Sequence, residues 1–90
     1  MGTALIKIKI MPTSPDTNLE EIKIRAKEII EEKTGKVDAF QEEPVAFGLK
    51  AIIAGFSIDE SIGLEPIEDA LKEIENVSSV QVIDMRRAFG

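Results

Sequence analysis

Ninety residues with 43% apolar content fit one small domain with a real core, expected to span 1–90. The chain has no Cys and no His, which excludes thiol chemistry, zinc sites of the usual kind and any Ser-His-Asp triad, and its 4% aromatic content leaves the core to Ile, Val and Leu. The formal charge of −6 argues against nucleic acid as a partner, because phosphate binding is driven by counterions released around Lys and Arg.

Residues 3–11 (TALIKIKIM) alternate, with Ala4, Ile6, Ile8 and Ile10 on one side and Leu5, Lys7, Lys9 and Met11 on the other. Period two over this length predicts a half-buried strand. The lysines also break the N-terminal apolar run, so it is no signal-peptide core, and no stretch approaches the roughly 18 apolar residues of a membrane span. A cytoplasmic protein is expected. Two prolines, Pro12 and Pro15, with small polar residues between and after them, stop the strand. Asn18 and Glu21 have the spacing of a helix N-cap and its reciprocal acid. The helix runs to about Lys33, with an apolar stripe of Leu19, Ile22, Ala26, Ile29 and Ile30, and Gly35 is placed to end it in a left-handed turn. Glu21 with Arg25 and Lys27 with Glu31 have the spacing of ion pairs on its solvated face.

Residues 36–43 (KVDAFQEE) predict a second strand, polar enough for a sheet edge, with either Val37 and Ala39 or Asp38 and Phe40 turned inward. Residues 49–58 (LKAIIAGFSI) are apolar almost throughout, as in a central strand covered on both faces, and Gly55 signals a bulge or close backbone approach. Leu64, Ile67, Leu71 and Ile74 then repeat at helical spacing, with Pro66 in the first turn and Asn76 as a stop. Residues 78–87 (SSVQVIDMRR) predict the last strand.

The order β-α-β-β-α-β points to an α+β, ferredoxin-like sandwich: a four-stranded antiparallel sheet of order 4-1-3-2 with two helices on one face and the other face open. Nothing matches a phosphate-binding loop. Adjacent acids such as Glu42-Glu43 and Asp59-Glu60 point apart in extended chain, which disfavours paired-carboxylate catalysis. An RNA-reading sheet needs stacking aromatics on its central strands, and here the first has none and the third only Phe56. A small-molecule regulatory domain or a self-association module of the same topology stands as the alternative function.

The stretch Glu42-Glu43-Pro44-Val45-Ala46-Phe47-Gly48-Leu49-Lys50 joins the two middle strands. Pro44 and Gly48 bracket a turn, and Phe47 lies inside it. Such a ring either folds back to cap one end of the sandwich or enters a pocket on a partner. From residue 46 onward the cations are Lys50, Lys72, Arg86 and Arg87. The two arginines read either as contacts to an acidic partner or as charges that keep an edge strand soluble.

Three blocks carry a resemblance: Ile8-Lys9-Ile10-Met11-Pro12-Thr13-Ser14-Pro15-Asp16-Thr17-Asn18-Leu19-Glu20, the central Glu42 to Ala51, and Val77 to Arg87. In this order they resemble the exchange-factor domain of elongation factor 1-beta, most closely its short archaeal type. The resemblance implies a guanine nucleotide exchange factor that promotes GDP release and GTP reloading on elongation factor 1-alpha in translation elongation. It implies no cofactor, no catalytic or metal-binding residue, no membrane and no direct nucleic-acid contact. The family's Phe-Gly turn falls on Phe47-Gly48, followed by Lys50. In eukaryotic members, which carry further domains ahead of this one, a C-terminal lysine approaches the partner's magnesium and phosphate region. That position falls at about Gly90, which has no side chain, and Arg86 and Arg87 are the nearby cations. The expected partner-binding residues are therefore Phe47, Gly48, Lys50, Arg86 and Arg87.

Overall fold

Strand β1 (Thr3–Pro12) is followed by helix α1 (Leu19–Thr34), β2 (Val37–Pro44), β3 (Lys50–Asp59), α2 (Glu65–Lys72) and β4 (Val77–Phe89) in a computed structural model that describes residues 2–34 and 37–89. The strands form one antiparallel sheet of order β2-β3-β1-β4, the expected ferredoxin-like order read from the other edge. Alternation in β1 does what period two dictates: Ala4, Ile6, Ile8 and Ile10 are buried, while Leu5, Lys7, Lys9 and Met11 lie on the other face. Their cross-strand partners on β3 are Ile58, Phe56, Ala54 and Ile52, so these eight residues form the floor of the core. Both helices cover that floor, α1 through Ile22, Ala26 and Ile30 and α2 through Ile67 and Leu71. Ile29, expected in the same layer, is only half-buried. No polar or charged residue is buried among the described residues.

Asn18 caps α1, its side-chain oxygen accepting the Glu20 N–H at 3.0 Å and the Glu21 N–H at 3.4 Å. The charges on α1 pair three residues apart and not in the expected i,i+4 pairs: Arg25 meets Glu28 at 3.7 Å, and Lys23 meets Glu20 at 3.5 Å. The stop expected at Gly35 lies outside the described residues. Helix α2 carries Pro66 in its first turn but ends at Lys72, ahead of the expected stop, so Ile74 lies beyond it and Asn76, with φ 71°, turns the chain into β4.

Sheet registers resolve two points the sequence left open. In β2 the inward residues are Val37 and Phe40, one from each expected alternative, because the register shifts between Val37 and Ala39. The bulge thus lies on β2, opposite Phe56 and Gly55, and β3 itself keeps register with β1 through Gly55. In β4 a shift between the pairs Lys7–Asp84 and Ile8–Val82 makes Ile83 the extra residue and returns Met85 opposite Ile6. Two further shifts in the same pairing fall opposite Thr3/Ala4 and Met11/Pro12, so the irregularities all involve edge strands, where unpaired backbone would otherwise template further pairing.

Candidate functional site

The β2–β3 connection is a hairpin tip of Ala46, Phe47 and Gly48 between extended Val45 and Leu49. Leu49 donates its N–H to the Ala46 carbonyl at 3.3 Å, and Val45 donates to the Leu49 carbonyl at 2.8 Å. Phe47 has φ 63° and ψ 28°, and Gly48 has φ 77°. Positive φ at both central positions is the sense of a type I′ turn, which matches the right-handed twist of the strands it joins. The sequence pointed to Gly48 alone as the permissive residue; Phe47 shares the left-handed conformation. For a residue with a Cβ that conformation costs roughly 1–2 kcal/mol. The Phe47 side chain is 93% exposed, so the core-capping reading of the ring does not hold. An apolar ring in water and a strained backbone coincide at one residue, and such coincidences cluster where structure is held for contact.

Several elements converge behind the tip. Pro12, Pro15 and Leu19 of the β1–α1 region, with Glu42, Gly48 and Lys50 of the hairpin, line a cleft of about 210 Å³. A Cβ built at Gly48 would lie 4.0 Å from the Pro15 ring, so the two pack without crowding. Lys23 on α1 donates to Glu42 on β2 at 2.6 Å across 19 residues of chain. That bond holds the Glu42 carboxyl below its ordinary pKa of 4.5, helped by the Lys23 charge. The same bond, opposed by partial desolvation, raises the Lys23 ammonium above 10.5.

The remaining expected residues do not gather there. Lys50 stands at the Phe47 end of β3, paired across the hairpin with Pro44. Arg86 and Arg87 pair with Leu5 and Ala4 at the start of β1, so the length of the sheet, on the order of 20 Å, separates them from the turn. They also project from opposite faces of β4. Arg86 meets Asp84 at 3.2 Å, and Arg87 meets Glu60 at 2.6 Å. Glu60 is in turn tied to the strand start by its N–H on the Gly2 carbonyl. Beside this pair Ala4, Ile6, Ile58, Ile62, Leu64 and Met85 line an open apolar depression. The five expected residues therefore form two separate ends of one sheet. Sequence reasoning missed Lys23, Glu42 and Pro15 behind the turn. The one available signal was the prolines on both segments, which marked chain reversals at the same end of the sandwich.

Phe56, the single aromatic expected on a central strand, is buried under the helices, and no described side chain on the open face is aromatic. Among the described residues no group of three acids could hold a metal ion, and no helix is long and apolar enough to cross a membrane.

Comparison with known proteins bears on the whole of this architecture. The EF-1 guanine nucleotide exchange domain family matches residues 5–88. The chain belongs to that family. It is 45% identical over 89 residues to elongation factor 1-beta of Methanocaldococcus jannaschii, covering 98% of this chain and 100% of that one. It is 44% identical over 88 residues to elongation factor 1-beta of Methanosarcina barkeri, covering 97% and 99% of the two chains. Elongation factor 1-beta of Methanococcus maripaludis is 37% identical over 86 residues, covering 94% and 97%. The exchange domain's matched span begins in β1 and ends in β4, so it takes in the Phe47 turn, the cleft behind it and both arginines.

Proposed function

We propose that this chain promotes GDP release from elongation factor 1-alpha in the cytoplasm, allowing GTP to reload it, and that Phe47 anchors the contact. The observation that carries the proposal is the Phe47 ring, 93% exposed on a hairpin tip whose backbone is left-handed at that residue. Anchors of binding interfaces are typically aromatic side chains that enter a pocket and lose their water on association. Gly48 lets the tip turn tightly enough to project the ring, and Lys50 supplies a cation beside it. Arg86 and Arg87, at the far end of the same sheet, would meet a second region of the partner.

Exchange needs no bond chemistry. A factor that prefers the nucleotide-free partner weakens nucleotide binding by the same ratio that nucleotide weakens the factor's binding. Neither His nor Cys is required for that, and this chain has neither. The role assigned here is therefore binding, with no catalytic residue and no cofactor. The test is release of labelled GDP from elongation factor 1-alpha on addition of the parent protein or Phe47→Ala. Acceleration by the parent and its loss in a variant that still folds is the expected result. A folded Phe47→Ala that matches the parent would remove the turn from the mechanism.

A further inference from the structure

An edge hairpin is a poor platform for an anchor unless something fixes its direction, because a two-stranded ribbon alone is marginally stable. Strand β2 hydrogen-bonds only to β3, so its hold on the helix layer depends on its inward side chains. Away from the turn those are Val37 and Phe40, which pack on the core. Nearest the turn the inward residue is Glu42, opposite Ile52, and it meets an ammonium where an apolar contact would otherwise stand. The pair lies at the surface, with Lys23 half-buried and Glu42 exposed, and the 2.6 Å separation is that of a charge-assisted hydrogen bond. Pro15 stands against Gly48 from the side of the β1–α1 loop. That loop is itself pinned by the Thr13 N–H on the Asn76 carbonyl at 2.9 Å.

We infer that Lys23, acting through Glu42, is a positioning residue: the pair clamps the hairpin to α1 and sets the direction in which the tip presents Phe47. This rests on the reading that Phe47 makes the partner contact. A clamp of this kind raises the fraction of molecules whose hairpin is ready to dock. Its loss weakens apparent affinity by that fraction and leaves the rate of the saturated complex alone. Losing one surface pair of good geometry corresponds to roughly a two- to fivefold effect.

The experiment compares the parent with Lys23→Gln, Glu42→Gln, Lys23→Arg and Phe47→Ala. Amide hydrogen exchange is read at Val45 and Leu49, whose N–H groups close the turn, alongside GDP release over a range of exchange-factor concentrations. Both neutral variants are expected to speed exchange at these two amides. They should also raise the concentration for half-maximal GDP release by roughly two- to fivefold, with the saturating rate and the urea midpoint near the parent's. Lys23→Arg, which keeps the cation, should track the parent in both. Unchanged protection at Val45 and Leu49 in both neutral variants overturns the inference, as does a loosened hairpin with unaltered GDP release. Parent and Phe47→Ala releasing GDP alike would instead sink the contact reading on which the inference rests, and a Phe47→Ala defect beside inert Lys23 and Glu42 variants would sink the clamp alone.

Discussion

Phe47 and Gly48 follow one another with φ of 63° and 77°, so a bulky aromatic occupies the turn position that Asn or Asp fills in an ordinary type I′ hairpin. Local stability would be served by the smaller polar residue. Phe47→Asn is accordingly expected to leave the domain as stable as the parent or more stable, by up to about 1 kcal/mol, since Asn tolerates left-handed backbone and exposes no ring. Phe47→Ala keeps the backbone strain and should lie within about 0.5 kcal/mol of the parent. Both variants should lower affinity for elongation factor 1-alpha on the order of thirtyfold, the loss of an anchor worth about 2 kcal/mol. Urea unfolding beside GDP release separates the two effects; a large stability loss in Phe47→Asn would show that the ring packs on its own domain.

The core provides the contrast. Ile6 is 2% exposed in a central strand opposite Phe56. Ile6→Ala should cost about 2–5 kcal/mol, a large share of what a domain of this size has. Equilibrium urea denaturation with an unchanged slope is the measurement, and a loss below that of Phe47→Ala would invalidate the assigned core.

Gly48→Ala tests the turn without touching the ring. The nearest atoms to an added Cβ are 4.0 Å away, so space is available and the backbone angle is the obstacle. A destabilisation of roughly 1–2 kcal/mol is expected from the left-handed conformation alone. A neutral outcome would mean that the tip relaxes to another turn type, which nuclear Overhauser contacts between Ala46 and Leu49 would reveal.

At the opposite end of the sheet, reversing Arg86 and Arg87 together to Glu should slow association with elongation factor 1-alpha, more strongly at low ionic strength. Both arginines already have acids on their own chain, Asp84 and Glu60, which gives the edge-charge reading a structural basis. Glu60→Gln is the informative companion: it frees Arg87 and should speed association if that guanidinium meets an acidic partner. Stopped-flow rates insensitive to all three changes at low salt would assign the arginines to their intramolecular pairs.

The Lys23–Glu42 bond also has a pH signature. Glu42 titrates below 4.5 in the folded chain, so its contribution to stability is present above the unfolded value and is lost as pH falls through the lowered folded one. Lys23 titrates above 10.5, so its contribution is lost only as pH rises through that raised value. Between the two the pair is intact. NMR titration of the Glu42 carboxyl should give a depressed midpoint in the parent and a higher one in Lys23→Gln. Identical midpoints would show that the bond does not persist in solution.

The strands and helices were legible because periodicity is local. Ala4, Ile6, Ile8 and Ile10 share a face by the pleat, and Ile67 and Leu71 by the helical turn, whatever else the chain does; Leu64 and Ile74, read into the same stripe, flank the helix instead. The double coverage of β3 was legible for the same reason, in Ala51, Ile52 and Ile53 without a polar break. From these the element order and the ferredoxin-like sheet followed. The resemblance around Phe47 gave the exchange family, and the match over residues 5–88 established it. What lay beyond the sequence depends on registers between segments distant in the chain. The register shifts in β2 and β4 exist only relative to a partner strand. Lys23 meets Glu42 because α1 crosses the edge strand at that level, a fact no helical spacing contains. The left-handed backbone at Phe47 follows from the twist of the two strands that the turn must join, and the placement of Arg86 and Arg87 at the far end follows from antiparallel pairing with the first residues of β1. Local pattern thus determined which segments form and which faces they bury, and tertiary pairing decided what stands beside Phe47.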